Sequence, residues 1–187
     1  MGDINGLTFE ELLEMNCFSE DMAERATAAE LLEWRYCCEI RCADMDKSVR
    51  FAHHARGCTI VAAKICQNVV IYQNVTVGSN MRYNKIQKQW ENVGSPILAK
   101  NVIVADGAKI LGAIIIGENT VVGAGAIITK SIPANSIAYG VNQYKPKNPD
   151  YALVFHPDMI SGEEITRINE KRVAEFDKAR EGYKHEI

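Results

Sequence analysis

The sequence predicts a mainly β protein wound from a six-residue repeat, and three observations carry that prediction. Leu98 to Pro133 divides into hexads whose first places are Leu98, Val104, Ile110, Ile116, Val122 and Ile128. The fifth places are Val102, Ala108, Ile114, Thr120, Ala126 and Ile132, all small or aliphatic except Thr120. The same spacing returns upstream at Ile65, Ile71 and Val77, with Val69 and Val75 in fifth places. A period of six fits neither the helical repeat near 3.6 nor the strand repeat of 2.

A unit this short cannot bury its own apolar face, so it must stack on copies of itself. If each hexad is a short strand and a turn, the first-place aliphatics point inward. Small second-place residues such as Ala99, Ala105, Gly117 and Gly123 then suit tight corners. Three hexads close one triangular coil, and coils stack about 4.8 Å apart through parallel strands.

Composition narrows the class. The chain has 187 residues, is 47% hydrophobic and carries a formal net charge of −3. That supports one substantial core. With no Lys/Arg run beyond two, a nucleic-acid or membrane-surface role is not expected. No basic stretch leads into an apolar run at the N-terminus, so a cytoplasmic location and reduced thiols are expected. Cys37, Cys38 and Cys42 beside His53 and His54 lack a second spaced pair, and no metal is expected.

Taken in order, residues 1–38 read as a helical cap. Thr8 with Glu11 and Thr27 with Glu30 have capping-box spacing, and Ser19 before Glu20 and Asp21 marks another start. Leu31, Leu32, Trp34 and Tyr36 give the last helix a face to lay over the open end of the coils. Residues 39–141 form the β domain, broken by a loop at 79–96 in which no hexad can be written. Arg82, Tyr83, Lys85, Lys88 and Trp90 in that loop suit an acidic or planar ligand, or a pinned solvated loop. Residues 142–187 are a linker through Lys145-Pro-Lys-Asn-Pro149 and a helix opened by Ser161-Gly-Glu-Glu164. Ile165, Ile168, Val173 and Phe176 lie on one face of that helix, which is expected to pack on the coils or on another subunit.

The polar cluster is Phe51-Ala-His53-His54-Ala-Arg-Gly57. Histidine titrates near neutrality and can take a proton from a hydroxyl. On a strand, adjacent histidines point to opposite faces, so one of the pair lines any given site.

The hexads resemble the left-handed parallel β-helix of the hexapeptide-repeat acyltransferases. The segments Cys38-Glu39-Ile40, Phe51 to Gly57, Ile71-Tyr-Gln-Asn-Val-Thr-Val-Gly78, Gly107-Ala-Lys-Ile-Leu-Gly112 and Gly140-Val141 resemble the serine O-acetyltransferase family more narrowly. That resemblance implies a trimeric enzyme in which His54 deprotonates a hydroxyl acceptor for direct attack on acetyl-CoA. Glu39 stands where the family has the carboxylate that orients the base, and His53 is the alternative base. The acetyl-CoA site is implied at Gly78, Ala105, Gly123 and Ala124, with Lys130 and Lys145 near the nucleotide phosphates. Gly94-Ser95-Pro96 replaces the family's Arg-His-Pro. Arg82 or Lys85 would then have to meet a serine carboxylate, alongside Tyr83 and Trp90. The acceptor is therefore serine, or a sugar or other hydroxyl metabolite; a non-catalytic β-helix scaffold is the third reading. The terminal Ile187 matches the residue through which family members dock into a sulfhydrylase.

Overall fold

The computed structural model describes residues 6–150 and 162–183. Helix α1 (Phe9–Phe18) opens with the expected capping box: Glu11 N–H donates to Thr8 Oγ1 at 3.2 Å, and Thr8 N–H donates to Glu11 Oε2 at 2.8 Å. The bonds donated to Glu11 Oε2 by Thr8 N–H and, at 2.9 Å, by the Thr8 hydroxyl hold the Glu11 carboxyl below its usual range.

Helix α2 (Met22–Tyr36) starts at Asp21, whose Oδ1 accepts from Ala23 N–H at 2.8 Å. The helix start expected at Thr27 does not occur. Thr27 lies inside α2 and its hydroxyl donates back to the Ala23 carbonyl at 2.9 Å, which leaves it no role as a cap. Phe9, Leu12, Ala28 and Leu32 join one core with Ile40, Val49, Ala55 and Ile60. Trp34, expected on that face, is 79% exposed.

The strands follow in chain order: β1 (Glu39–Cys42), β2 (Arg50–Phe51), β3 (Thr59–Ala62), β4 (Lys64–Ile65), β5 (Val70–Ile71), β6 (Thr76–Gly78), β7 (Met81–Asn84), β8 (Gln89–Asn92), β9 (Ile97–Leu98), β10 (Ile103–Val104), β11 (Lys109–Leu111), β12 (Ile115–Ile116), β13 (Val121–Val122), β14 (Ile127–Ile128), β15 (Ser136–Tyr139) and β16 (Gln143–Pro146). The chain visits three sheets in rotation. One orders β1-β3-β6-β11-β14, a second β16-β15-β13-β10-β5-β2, and a third β12-β9-β4. Apart from the β15–β16 hairpin, all pairs within these sheets are parallel. Ile103 pairs with Val121, Lys109 with Ile127 and Ile97 with Ile115, each three hexads apart. One coil is therefore three hexads, as the spacing predicts.

Burial follows the repeat. All six first-place residues from Leu98 to Ile128 are fully buried, and the fifth-place residues are 0–8% exposed. Thr120 is tolerated among them because its hydroxyl donates to the Pro133 carbonyl at 3.0 Å. One set of corners is fixed by Asn68, Asn101, Asn119 and Asn135, all at positive φ. Their side-chain amides link coil to coil at 3.1, 2.9 and 3.1 Å. Asparagine is among the few non-glycine residues that adopt this conformation readily.

Two segments differ from the sequence reading. The insertion at 79–96 is a β-hairpin, with β7 and β8 antiparallel and Tyr83 opposite Trp90. Asn84 Oδ1 turns it by accepting from the N–H groups of Ile86 and Gln87, both at 3.0 Å. Lys145, expected in a linker, lies on β16, which runs back along β15 with Ile137 opposite Lys145. Gly140 and Asn142, both at positive φ, make that reversal.

The chain divides into two compact units, Met1–Leu153 and Val154–Ile187. The second contains helix α3 (Gly162–Tyr183), on which Ile165, Ile168, Val173 and Phe176 are exposed. The capping residue expected at Ser161 and the terminal Ile187 lie outside the described residues.

Candidate active site

The histidine cluster owes its position to a mismatch in length. Phe51 pairs with Ile71 and Thr59 with Thr76. Between those anchors the lower coil has three residues more than the upper one, and the surplus is pushed out at the corner. His53, His54 and Ala55 there have φ of 53°, 55° and 51°. Three consecutive L-residues in the left-handed region cost roughly 1–2 kcal/mol each.

The surroundings hold the turn in place. Ala52 and Ala55 are buried beneath it. Cys58 N–H donates to the Ala55 carbonyl at 2.9 Å, Gly57 N–H to Cys37 at 3.2 Å and Asn74 N–H to Arg56 at 2.8 Å. Because the histidines occupy a turn, the strand rule for their directions does not apply. Both are exposed. The His54 ring lies 5.5 Å from Phe9 and 5.6 Å from Tyr36, whereas the His53 ring lies 6.3 Å from Tyr72. His54 thus leans toward the helices and His53 toward the next coil.

Glu39 does not meet His54. Its Oε1 lies 2.9 Å from Arg41 Nε, and no ion pair joins Glu39 to either histidine among the described residues. The cause is strand geometry: residues i and i+2 share a face, so Arg41 is the nearer partner.

The corner carrying the histidines continues upward as a column. Gly57, Asn74, Gly107 and Gly125 are its left-handed residues, with φ of 69°, 58°, 71° and 66°. Asn74 N–H donates to Arg56, Gly107 N–H to Gln73 at 3.1 Å and Gly125 N–H to Asp106 at 2.8 Å. Ala105, Gly123 and Ala124 sit in this column, two and three coils above the histidine turn. At Gly123 a β-carbon would stand 3.3 Å from the Ala138 carbonyl, a tight contact. Gly78 ends β6, the middle strand of the five-stranded sheet, and so lies at the strand end away from this corner. Lys130 and Lys145 are exposed, on the turn after β14 and on β16.

In the hairpin, Arg82 is already engaged. Its Nε lies 2.8 Å from Glu91 Oε2, and Asn84 Nδ2 donates to Glu91 Oε1 at 2.7 Å. The bond from Asn84 and then that from Arg82 lower the Glu91 carboxyl. Tyr83 and Trp90 pack edge to face at 5.5 Å and stay largely exposed.

The sequence reading missed the three-residue surplus. Its signal was present: Phe51 and Ile60 both precede corners of the coil, nine residues apart where a hexad requires six.

Comparison with known proteins finds serine acetyltransferases. Serine acetyltransferase of Mycobacterium tuberculosis is 37% identical over 120 residues, covering 59% of this chain and 48% of the relative. That of Bacillus pumilus is 30% identical over 137 residues, covering 67% and 59%. The chain resembles the serine acetyltransferases. It spans about half the length of these relatives. The crystal structure of the Neisseria gonorrhoeae serine acetyltransferase superposes with a TM-score of 0.54 at 20% identity, covering 70% of this chain and 48% of that one. A serine acetyltransferase in complex with cysteine gives 0.53 at 19%, covering 76% and 52%. These structures establish the shared fold. No protein-family model matches the chain.

Gly94-Ser95-Pro96 returns the chain from the hairpin. Gly94 has φ 103°, and a β-carbon there would stand 3.1 Å from the Ala113 β-carbon. A side chain at 94 would be strained by that backbone and tight against Ala113.

Proposed function

We propose that this protein is an acetyl-CoA-dependent O-acetyltransferase of the serine acetyltransferase type, built on a left-handed β-helix and assembled as a trimer. The supporting observation is the strained left-handed turn that lifts His53 and His54 out of the corner heading the column of small residues. Local strain kept at one polar corner is a mark of a working site. In this reading residues 1–38 cap the β-helix, 39–141 carry the chemistry and 142–187 add strand β16 and a C-terminal helix. His54 takes the proton of the acceptor hydroxyl as it attacks the thioester carbonyl, and a backbone N–H at the corner receives the developing oxyanion. The leaving thiolate takes up a proton, so no enzyme nucleophile is needed.

The column suits the donor. Ala105, Gly123 and Ala124 leave room for the pantetheine arm along it, with Lys130 and Lys145 as partners for the nucleotide phosphates. Acetyl-CoA, when bound, supplies the activated acyl group. The helices contain no span long and apolar enough to cross a membrane among the described residues. The assignment to the cytoplasm belongs to this proposal, as does docking of Ile187 into a sulfhydrylase.

A second acceptor class is favoured by one observation. Arg82 is held by Glu91 and position 94 is glycine, so a serine carboxylate lacks a free arginine at the hairpin. The exposed Tyr83–Trp90 pair offers instead an aromatic surface suited to a sugar ring.

Thiol release from acetyl-CoA, measured with L-serine and in parallel with neutral sugars, tests both. Turnover is expected to fall 10²–10⁴-fold in His54→Ala. His53→Ala decides between the two histidines. Since Arg41 already holds Glu39, Glu39→Gln is expected to cost less than about tenfold. Full activity in His54→Ala sinks the assignment of that base.

A further inference from the structure

Helix α2 and the first coil do not close on each other everywhere. They leave a cavity of about 770 Å³ between the start of α2 and the C-terminal ends of β1 and β3. Its wall includes Met22, Ala26, Ala29, Val61 and Ala62, because α2 carries alanines where larger side chains would fill the gap. The cavity lies at the far end of β3 from the histidine turn, about 13 Å of strand away.

Arg25 and Arg41 line the same space. Arg25 donates through Nε to the Asn16 carbonyl at 3.0 Å, and Arg41 Nε lies 2.9 Å from Glu39 Oε1. The terminal nitrogens of both guanidinium groups have no partner among the described residues. The edge of β1 adds further donors. Glu39 N–H donates to the Cys58 carbonyl at 2.9 Å and Ala43 N–H to the Ala62 carbonyl at 3.2 Å, so the backbone groups of Ile40 and Cys42 point away from β3. Asn16 Nδ2 donates to the Ile40 carbonyl at 2.8 Å, whereas the N–H groups of Ile40 and Cys42 have no partner among the described residues. Both residues line the cavity, and among the described residues no carboxylate does.

We propose that this cavity binds an organic monocarboxylate. Guanidinium forks match the two oxygens of a carboxyl group, and the open N–H groups of β1 complete the set of donors. Charge sets the valence of the ligand: two guanidinium cations and the Glu39 carboxylate sum to one positive charge. Glu30, Glu33 and Glu39 line the adjoining pocket that shares Arg41, and they repel a second negative charge. The apolar wall calls for a hydrocarbon body behind the carboxyl group. This site stands independently of the acyl-transfer reading.

The probe is hexanoate, titrated into the whole chain and followed by ligand-observed NMR, with hexan-1-ol and inorganic phosphate as comparators. Hexanoate should saturate, and both comparators should bind about tenfold more weakly or worse, since hexan-1-ol lacks the charge and phosphate lacks the apolar body. Arg25→Gln and Arg41→Gln should each weaken hexanoate about tenfold. Ala29→Phe, at an exposed helix position, should fill the cavity and abolish binding at an unchanged melting temperature. His54→Ala should bind hexanoate as the wild type does, which separates this cavity from the histidine turn. Absence of saturable hexanoate binding, a comparator that equals hexanoate, unchanged affinity in both arginine variants, or loss of binding in His54→Ala overturns the proposal. The first two results need no variant to fold.

Discussion

At Gly57 two constraints meet in one residue. Its φ is 69°, and a β-carbon there would overlap Asn74 Oδ1, so an L-side chain is strained both by its backbone and by its neighbour. Gly57→Ala is expected to lower the unfolding free energy by about 1–3 kcal/mol, read from urea melts. Cys38 shows a different dependence on its surroundings. Burial, reinforced by the nearby Cys58 and Cys37, pushes its thiol from 9.0 to about 12, and burial pushes Cys17 up to about 11. A raised folded value means that the native protein keeps a proton that the unfolded chain gives up above about pH 9. Stability is then fully present below that pH and falls as pH rises toward 11 and 12. Melting temperatures between pH 8 and 11 should decline, and less steeply in Cys38→Ala; a flat profile in the wild type would contradict the assignment.

Among the elements, the hexad strands were the most legible in sequence, because a fully buried first place admits little besides Ile, Leu and Val. Ile110→Ala, at a residue with no exposed surface, is expected to cost about 2–5 kcal/mol in the same melts. The β7–β8 hairpin should behave oppositely. Its strands pair with each other and belong to a sheet of their own. Replacing residues 81–92 by a short glycine linker is expected to leave the melting temperature within a few degrees while changing the preference among acceptors. The hairpin was hard to read from sequence because cross-strand pairing of Tyr83 with Trp90 and Arg82 with Glu91 leaves no hexad period. The histidine turn was legible in residue types and not in geometry: a reading based on strands assigns its two rings to opposite faces, and the three-residue surplus removes the strand. Glu39 was misplaced for a related reason. Stacking of coils brings backbones together, but the i+2 neighbour Arg41 reaches the carboxylate first.

For the whole molecule, a stack of parallel coils ends in open edges that invite pairing with another chain. On the second sheet β16 closes one such edge by folding back over β15. Ending the chain after Gly140 is expected to leave β15 open and to produce concentration-dependent aggregates by light scattering. The coil beneath that end is also tighter. Val121 pairs with Ile137, two residues closer in sequence than the regular repeat, and the chain at Pro133–Ala134 crosses so near Gly117 that a β-carbon there would overlap the Ala134 nitrogen.

The extra residues at the first corner illustrate what such an architecture permits. Phe51 and Thr59 keep their partners in the coil above although the connection between them is longer. The sheets on either side are indifferent to the length of chain that joins them, so a corner can gain or lose residues while the packed interior stays the same. New chemistry can therefore be tried at any vertex of the prism without renegotiating the fold, and the vertices, rather than the flat sides, are where descendants of one such scaffold are free to diverge.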